Sequence, residues 1–229
     1  MTAREIRVLI VTAPPTILGG VAVQTRGLAE FLRARGYRVT IAHYAALRTE
    51  GDLTVPARCL LAGGRPGVRR YTVWGGFDCI AIGCRLPELE VTYYGDSPLW
   101  RDVIAAHERH IAVGGNMLVA GPLAASGLAH LVWCASDVKG DRTDRQNAMS
   151  SARRLYDLNV VSPLLRRLER RVVRGTGTFA TISGASARSL AAIGSSAGKA
   201  FDVLPIPVDA ARFSPPAVPP EPGIVGIAG

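Results

Sequence analysis

The sequence predicts an α/β protein built on a doubly wound parallel sheet, and three observations carry that reading. Ile6, Val8, Leu9, Ile10 and Val11 form a nearly continuous apolar run, as expected of a strand covered on both faces. A loop ending in Gly19-Gly20, an amphipathic stretch and a second apolar run over residues 37–44 follow it. Beyond that point apolar runs and helical stretches keep alternating, the pattern of parallel strands joined by crossover helices.

Each element has a local reason. Pro14 and Pro15 block extension of the first strand or an early helix. Gly19 and Gly20 allow a sharp turn and leave no side chain over the amino end of the next helix. In that helix Val21, Leu28 and Leu32 recur on one face, Ala22, Ala29 and Phe31 widen the stripe, and Gly36 ends it. Residues 46–78 are dense in glycine and proline, with a short strand expected over 71–74 and another over 78–83. Ser97 followed by Pro98 opens a capped helix that runs to residue 108. Residues 110–113 read as a strand, 117–125 as a helix and 130–135 as a buried strand. The strongly polar segment 136–154 predicts a loop passing into a helix. A long helix is expected over 162–174, a strand over 178–182, a helix over 185–193 and a last strand over 201–204.

At 229 residues the chain is long enough to bury a full core. No run reaches the roughly eighteen apolar residues of a membrane span. The start lacks the basic-then-apolar pattern of a signal peptide, so a cytoplasmic location is expected. Cys59, Cys79, Cys84 and Cys134 show neither zinc-ligand spacing nor a disulfide framework and read as ordinary core thiols. The net charge of +9 suits polyanionic partners: nucleic acid, nucleotide sugars or anionic lipid heads. All but Lys139 and Lys199 of the 27 basic residues are arginine, a bias that codon composition alone can produce. Aromatics are scarce and do not interleave with basic residues, which argues against a single-strand nucleic-acid platform.

Unpaired backbone N–H groups beside a glycine pair make an anion site, usually for phosphate. The spacing is not the dinucleotide fingerprint, which places Gly-x-Gly-x-x-Gly soon after the strand and an acidic residue near the end of the next one. Here the second apolar run ends in His43, Tyr44 and Ala45, which disfavours a nicotinamide dehydrogenase.

The opening "RVLIVTAPPTILGGVAVQTRGLAEFLRARGYRVTIA" resembles that of the family 4 retaining glycosyltransferases, which face two Rossmann-like domains across a cleft. Downstream, "FATISGASARSLAAIG" and "VLPIPVDAARFSP" are similar to that family's strand, Ser-capped helix and inter-domain connector. The connector commonly reads Pro-Asn-Gly-Val-Asp-x-x-x-Phe-x-Pro; Val208, Asp209, Phe213 and Pro215 fit, while Ile206 and Pro207 replace Asn-Gly. The resemblance implies an amino-terminal, acceptor-side domain over 1–213, a stiff proline-rich linker over 214–222 and the first strand of a second domain over 223–229. It implies transfer of a sugar, with retention, from a nucleotide-sugar donor to a glycan, lipid-linked or small-molecule acceptor. No cofactor and no essential metal are implied, because in the resembling family helix amino ends and basic residues of the second domain stabilise the leaving diphosphate. The family's nucleotide pocket and carboxylate pair belong to the second domain, so this half alone is expected to be nearly inactive.

In an open parallel sheet ligands gather at the carboxyl ends of strands. Three candidates fall at such ends: Gly19 and Gly20, the segment 136–145 beginning with Ser136 and Asp137, and Ser183 with Gly184. The resemblance implies that the glycine pair, with Gln24 in the helix after it, lies against donor diphosphate and acceptor; the plain alternative is a turn without ligand. Asp137 reads as a base or as an acceptor of a hydrogen bond from a substrate hydroxyl, or else as a solvated loop aspartate. Ser183 reads as an N-cap, with ligand contact at the cleft edge as a second role. The family often carries a histidine contacting the transferred sugar in this neighbourhood; "LVWCASD" has Cys134 and Ala135 there instead. His107 and His110 imitate a metal pair, but no third ligand is evident and no metal is expected. His43 and His130 read as sheet-edge residues.

In the helix over 162–174, with Val161 just before it, Val161, Leu164, Leu165, Leu168 and Val172 share a narrow arc opposite Arg166, Arg167, Arg170, Arg171 and Arg174. That basic face reads as a solvated surface or as a dock for anionic lipid at the inner membrane face. Two rivals stand beside the transferase reading: a non-catalytic binding module derived from a transferase half, and a basic nucleic-acid-binding α/β domain. No recognisable motif supports the latter, and a nucleic-acid partner is not expected.

Overall fold

Strand β1 (Arg7–Thr12) is buried along its length from Val8 onward because strands lie on both sides of it and apolar side chains cover both its faces. A computed structural model of the chain describes residues 5–17 and 19–207. Within them β1 joins β2 (Arg38–Tyr44), β3 (Val68–Val73), β4 (Phe77–Ile82), β5 (Arg109–Gly114), β6 (His130–Cys134), β7 (Gly177–Thr181) and β8 (Phe201–Val203) in one sheet. The strand order is β3-β4-β2-β1-β5-β6-β7-β8. Every pairing is parallel except that of β3, which runs antiparallel to β4 at one edge. The order reverses beside β1, as in Rossmann-like doubly wound sheets, and this puts the crevice at the carboxyl ends of β1 and β5.

The helices are α1 (Gly20–Ala34), α2 (Pro98–Ala105), α3 (Gly121–Ser126), α4 (Val138–Asn147), α5 (Ser151–Tyr156), α6 (Ser162–Arg174) and α7 (Gly184–Gly194). Successive residues of β1 supply two cores, as the two-residue period of a strand requires. Leu9 and Val11 pack with Trp100 and Val103 of α2, Leu123 of α3, Leu165 and Val172 of α6 and Leu190 of α7. Ile10 packs with Ile41, Val39, Phe77 and Ala29 of α1, flanked by Leu28 and Leu32. No helix among the described residues is long and apolar enough to cross a membrane.

Strands β4 to β8 and helices α6 and α7 fall within a residue or two of the expected ranges, while α2 ends at Ala105, three residues short of the expected 108. Helix α1 ends as Gly36 predicts: with φ at 83° it lets the N–H of Tyr37 reach the carbonyl of Leu32 (3.1 Å) and its own N–H reach that of Arg33 (3.0 Å). Four expectations are corrected. Phe31 is not part of the buried stripe but 51% exposed, covered by the Arg35 guanidinium 3.6 Å from its ring centre. The edge strand is longer than 71–74, because pairing with β4 carries it back to Val68. Residues 117–125 begin as a 3-10 turn, Met117–Ala120, before α3. Segment 136–154 is no loop: it holds α4 and most of α5, and a π-helical turn, Asp157–Val161, joins α5 to α6. The connector residues Val208, Asp209, Phe213 and Pro215, the linker 214–222 and the segment 223–229 lie outside the described residues.

Candidate functional site

The carboxyl end of β1 leads through Ala13 and Pro14 into a turn closed by the Ile17 N–H on the Pro14 carbonyl, 3.0 Å. Gly19 then takes φ 147° and ψ −177°, a conformation that side-chain-bearing residues rarely adopt, and serves as N-cap of α1 without a side chain to satisfy the helix. The first-turn N–H groups of a helix have no intrahelical partners, so this end offers several donors and the positive end of the helix dipole. A Cβ built on Gly19 or Gly20 meets nothing within 4 Å. The pair therefore borders open space.

That space is a cleft of about 210 Å³ whose far walls come from other strands: Tyr44 ending β2, Tyr94, Gly115 and Asn116 following β5, and Asp141 and Arg145 of α4. Gly114 is required for the approach of β5 to its turn, since a Cβ there would sit 2.6 Å from the Asn116 carbonyl oxygen. Asn116 caps the 3-10 turn, its Oδ1 accepting from the Leu118 N–H at 3.0 Å, and its Nδ2 donates to Asp141 Oδ2 at 2.9 Å. Arg145 lies 3.4 Å from Asp141 and 3.9 Å from Glu90, with its side chain 57% exposed. Burial pushes the Tyr44 and Tyr94 phenols above their ordinary range, so both stay protonated at neutral pH. A helix amino end without a side-chain cap, opposed by an arginine, offers donors to an anion, with the Asp141 carboxylate beside that arginine in the same wall.

The remaining predicted residues are dispersed. Gln24 is buried on α1, 3% exposed, does not line the cleft, and its Nε2 has no partner among the described residues. Ser136 stands behind the cleft: its Oγ and its N–H both donate to the Gly115 carbonyl, at 3.0 and 2.8 Å. Asp137 is the N-cap of α4, its Oδ1 accepting from the Gly140 N–H (2.6 Å) and its Oδ2 from the Ser189 hydroxyl (2.9 Å). Ser183 caps α7 by accepting from the Ser186 N–H at 3.2 Å. Asp137 lines a separate concavity with Lys139, Arg166, Glu169, Arg170 and Ser189. The glycine pair and Asp137 thus do not share one cleft.

Glu169 of α6 lies buried in that second concavity, and its Oε1 accepts from the Val138 N–H at 2.8 Å. Burial raises its carboxyl from 4.5 to about 7; the Val138 N–H opposes the rise, the charge of Asp137 adds to it, and Arg166 and Arg170 oppose it. Two carboxylates, Asp137 and Glu169, therefore hold the amino end of α4, the helix that carries Asp141 and Arg145 into the cleft. Cys134, where the resembling family often has histidine, is a fully buried thiol that burial pushes up to about 12, which makes it core rather than nucleophile.

All four cysteines are free thiols. His107 and His110 turn onto different carbonyls, those of Val103 (2.8 Å) and Ile104 (3.0 Å), and the described residues contain no group of three or more residues able to hold a metal. His43 is locked between the Tyr44 carbonyl and the Tyr71 hydroxyl, and His130 bonds the Leu128 carbonyl. The five arginines of α6 are exposed, and among the described residues no carboxylate lies within 4 Å of any of them. Arg167, Arg170, Arg171 and Arg174 line an open concavity of about 650 Å³.

The sequence reading missed Tyr44, Tyr94 and Asn116 as wall residues of the cleft; the expected segment 136–145 does reach it, through Asp141 and Arg145 rather than through Ser136 or Asp137. Asn116 had a usable signal: Gly114-Gly115-Asn116 repeats, after β5, the strand-then-glycine-pair arrangement seen at Gly19-Gly20. No protein-family model matches the chain, and no curated protein matches it.

Proposed function

We propose that the chain is the acceptor-side, amino-terminal half of a retaining glycosyltransferase that uses a nucleotide-sugar donor. The observation that carries the reading is the placement of Gly19 and Gly20: at the amino end of α1, on the carboxyl edge of the central strand, facing Arg145 across open space. Such an end suits the donor diphosphate or a charged group beside it. In the transfer, the acceptor hydroxyl oxygen bonds to the anomeric carbon while the bond from that carbon to the diphosphate breaks. The electron pair leaves with the diphosphate, and the hydroxyl proton passes to a leaving phosphate oxygen. The described residues contribute N–H donors and a guanidinium to this step; the nucleotide pocket belongs to a second half. A cytoplasmic protein, peripheral at the inner membrane face, fits the same reading.

A non-catalytic binding module is the second reading, favoured by Cys134 and Ala135 in place of the family's histidine and by the use of Asp137 as a helix cap. Incubating the polypeptide of the complete reading frame with a panel of nucleotide sugars separates the two. Release of nucleoside diphosphate with a new α- or β-linkage matching the donor's anomer supports the transferase; donor binding without release supports the module.

A further inference from the structure

The cleft at the glycine pair shares Tyr44, Tyr94 and Arg145 with a larger concavity of about 520 Å³. One corner of that concavity is aromatic. The rings of Tyr44 and Tyr93 stack with centroids 4.9 Å apart, and Tyr94 meets Tyr44 edge-on at 5.4 Å. A stacked tyrosine pair offers an outer ring face that suits a sugar or polyol ring, and the Tyr93 hydroxyl is oriented by accepting from the Leu47 N–H at 3.3 Å.

The rest of the wall is basic in a particular way. Arg48, Arg142, Arg145 and Arg153 enter from the loop after β2, from α4 and from α5. Arg142 is fully paired, to Glu90 and Asp157. Among the described residues the Arg145 side chain makes only the two long contacts given above. Arg48 and Arg153 are exposed and, among the described residues, have no carboxylate within 4 Å. The remaining wall acid, Glu88, accepts from the Ala57 N–H at 3.0 Å. Arginines on three separate segments converge on one hollow, which a solvated row along a single helix does not do. Guanidinium groups left without carboxylates there match a phosphate in charge and in fork geometry.

We infer that this concavity seats the acceptor, and that the acceptor is a sugar or polyol phosphate, its ring against Tyr44 and Tyr93 and its phosphate on Arg48 and Arg153. The word acceptor rests on the transferase reading; the preference for a phosphorylated ring does not. The test is calorimetric titration of the full chain with glucose 6-phosphate, glucose 1-phosphate, glucose and inorganic phosphate. At least one sugar phosphate should bind about tenfold tighter than either glucose or phosphate alone. The Arg48→Ala, Arg153→Ala double variant, whose fold is checked by circular dichroism, should lose that advantage. Arg167→Glu with Arg171→Glu, on a different surface, should keep it. Equal affinity for glucose and its phosphates, no binding by either phosphate, an unaffected double variant, or equal loss in the α6 variant overturns the inference. Sugar-phosphate binding without any transfer by the complete polypeptide would retain the site and refute the transferase. Transfer to neutral sugars, with no preference for phosphate, would do the reverse.

Discussion

Arg142 of α4 donates to both carboxylate oxygens of Asp157 in the π-helical turn, and neither side chain is more than 6% exposed. Burial alone would raise the Asp157 carboxyl; hydrogen bonds from Arg142, Gln146 and Ser162 outweigh it and hold the group below the usual carboxylate range. The pair joins the helix that carries Arg145 to the helical run leading into α6, and so fixes one wall of the cleft.

Removing one partner strands the other charge in the interior. Arg142→Met is expected to lower stability by roughly 3 kcal/mol, read from urea denaturation. Combining it with Asp157→Leu should restore part of that loss, because the buried Asp157 charge is then gone, while half-buried Glu90 keeps only its 3.9 Å contact with Arg145. A loss under about 1 kcal/mol for the single variant would mean that water reaches Asp157 and the pair is a surface contact in effect.

This network also explains what was legible in the sequence. The β1–α1–β2 unit and the later strands could be read because burial on both faces leaves long apolar runs, and Gly19-Gly20 is punctuation that physics ties to a turn. Helix α4 could not. Among its described side chains Val138 and Arg142 are the buried ones, with no apolar stripe, and it is held by carboxylates at Asp137 and Glu169 and by an ion pair to a residue fifteen positions on. Phe31 misled for the opposite reason: it has apolar character at helical spacing but is covered by an arginine rather than by the core. The cleft combines Gly19, Tyr44, Asn116 and Arg145, brought together by parallel crossovers, and no local pattern encodes such a meeting.

Glu169 makes stability depend on pH. Its folded-state pKa, about 7, lies above the ordinary 4.5, so the folded protein holds this proton more tightly than the unfolded chain. That contribution is fully present below the unfolded value and is lost as pH rises through the folded one. The loss is at most on the order of 3 kcal/mol, spread over the window from 4.5 to about 7. Asp137, Lys139, Arg166, Arg170 and Ser189 share its concavity. Glu169→Gln keeps an acceptor for the Val138 N–H and removes the titration. The wild-type melting temperature should therefore fall by a few degrees more between pH 5 and 8 than that of the variant. Parallel curves would show that Glu169 does not titrate in this window.

The arginine face of α6 gives a prediction about membranes. If it docks on anionic lipid, vesicle binding should rise with anionic lipid content and weaken with salt, since charges are screened over about 8 Å at physiological ionic strength. Each surface arginine contributes on the order of 1 kcal/mol, so Arg167→Glu with Arg171→Glu should abolish most co-sedimentation. A folded double variant that sediments like wild type would mark the face as solvated and point to a soluble acceptor.

The central claim is that the space at the amino end of α1 holds substrate, and Gly20→Val tests it most directly. A Cβ at Gly20 meets no protein atom within 4 Å, so the valine enters the cleft rather than the core. In the polypeptide of the complete reading frame, turnover of the nucleotide sugar should drop by about a hundredfold or more, while the melting temperature moves by no more than a few degrees. Turnover unchanged from wild type, or activity lost only in step with unfolding, would contradict the account and leave Gly19 and Gly20 as a turn.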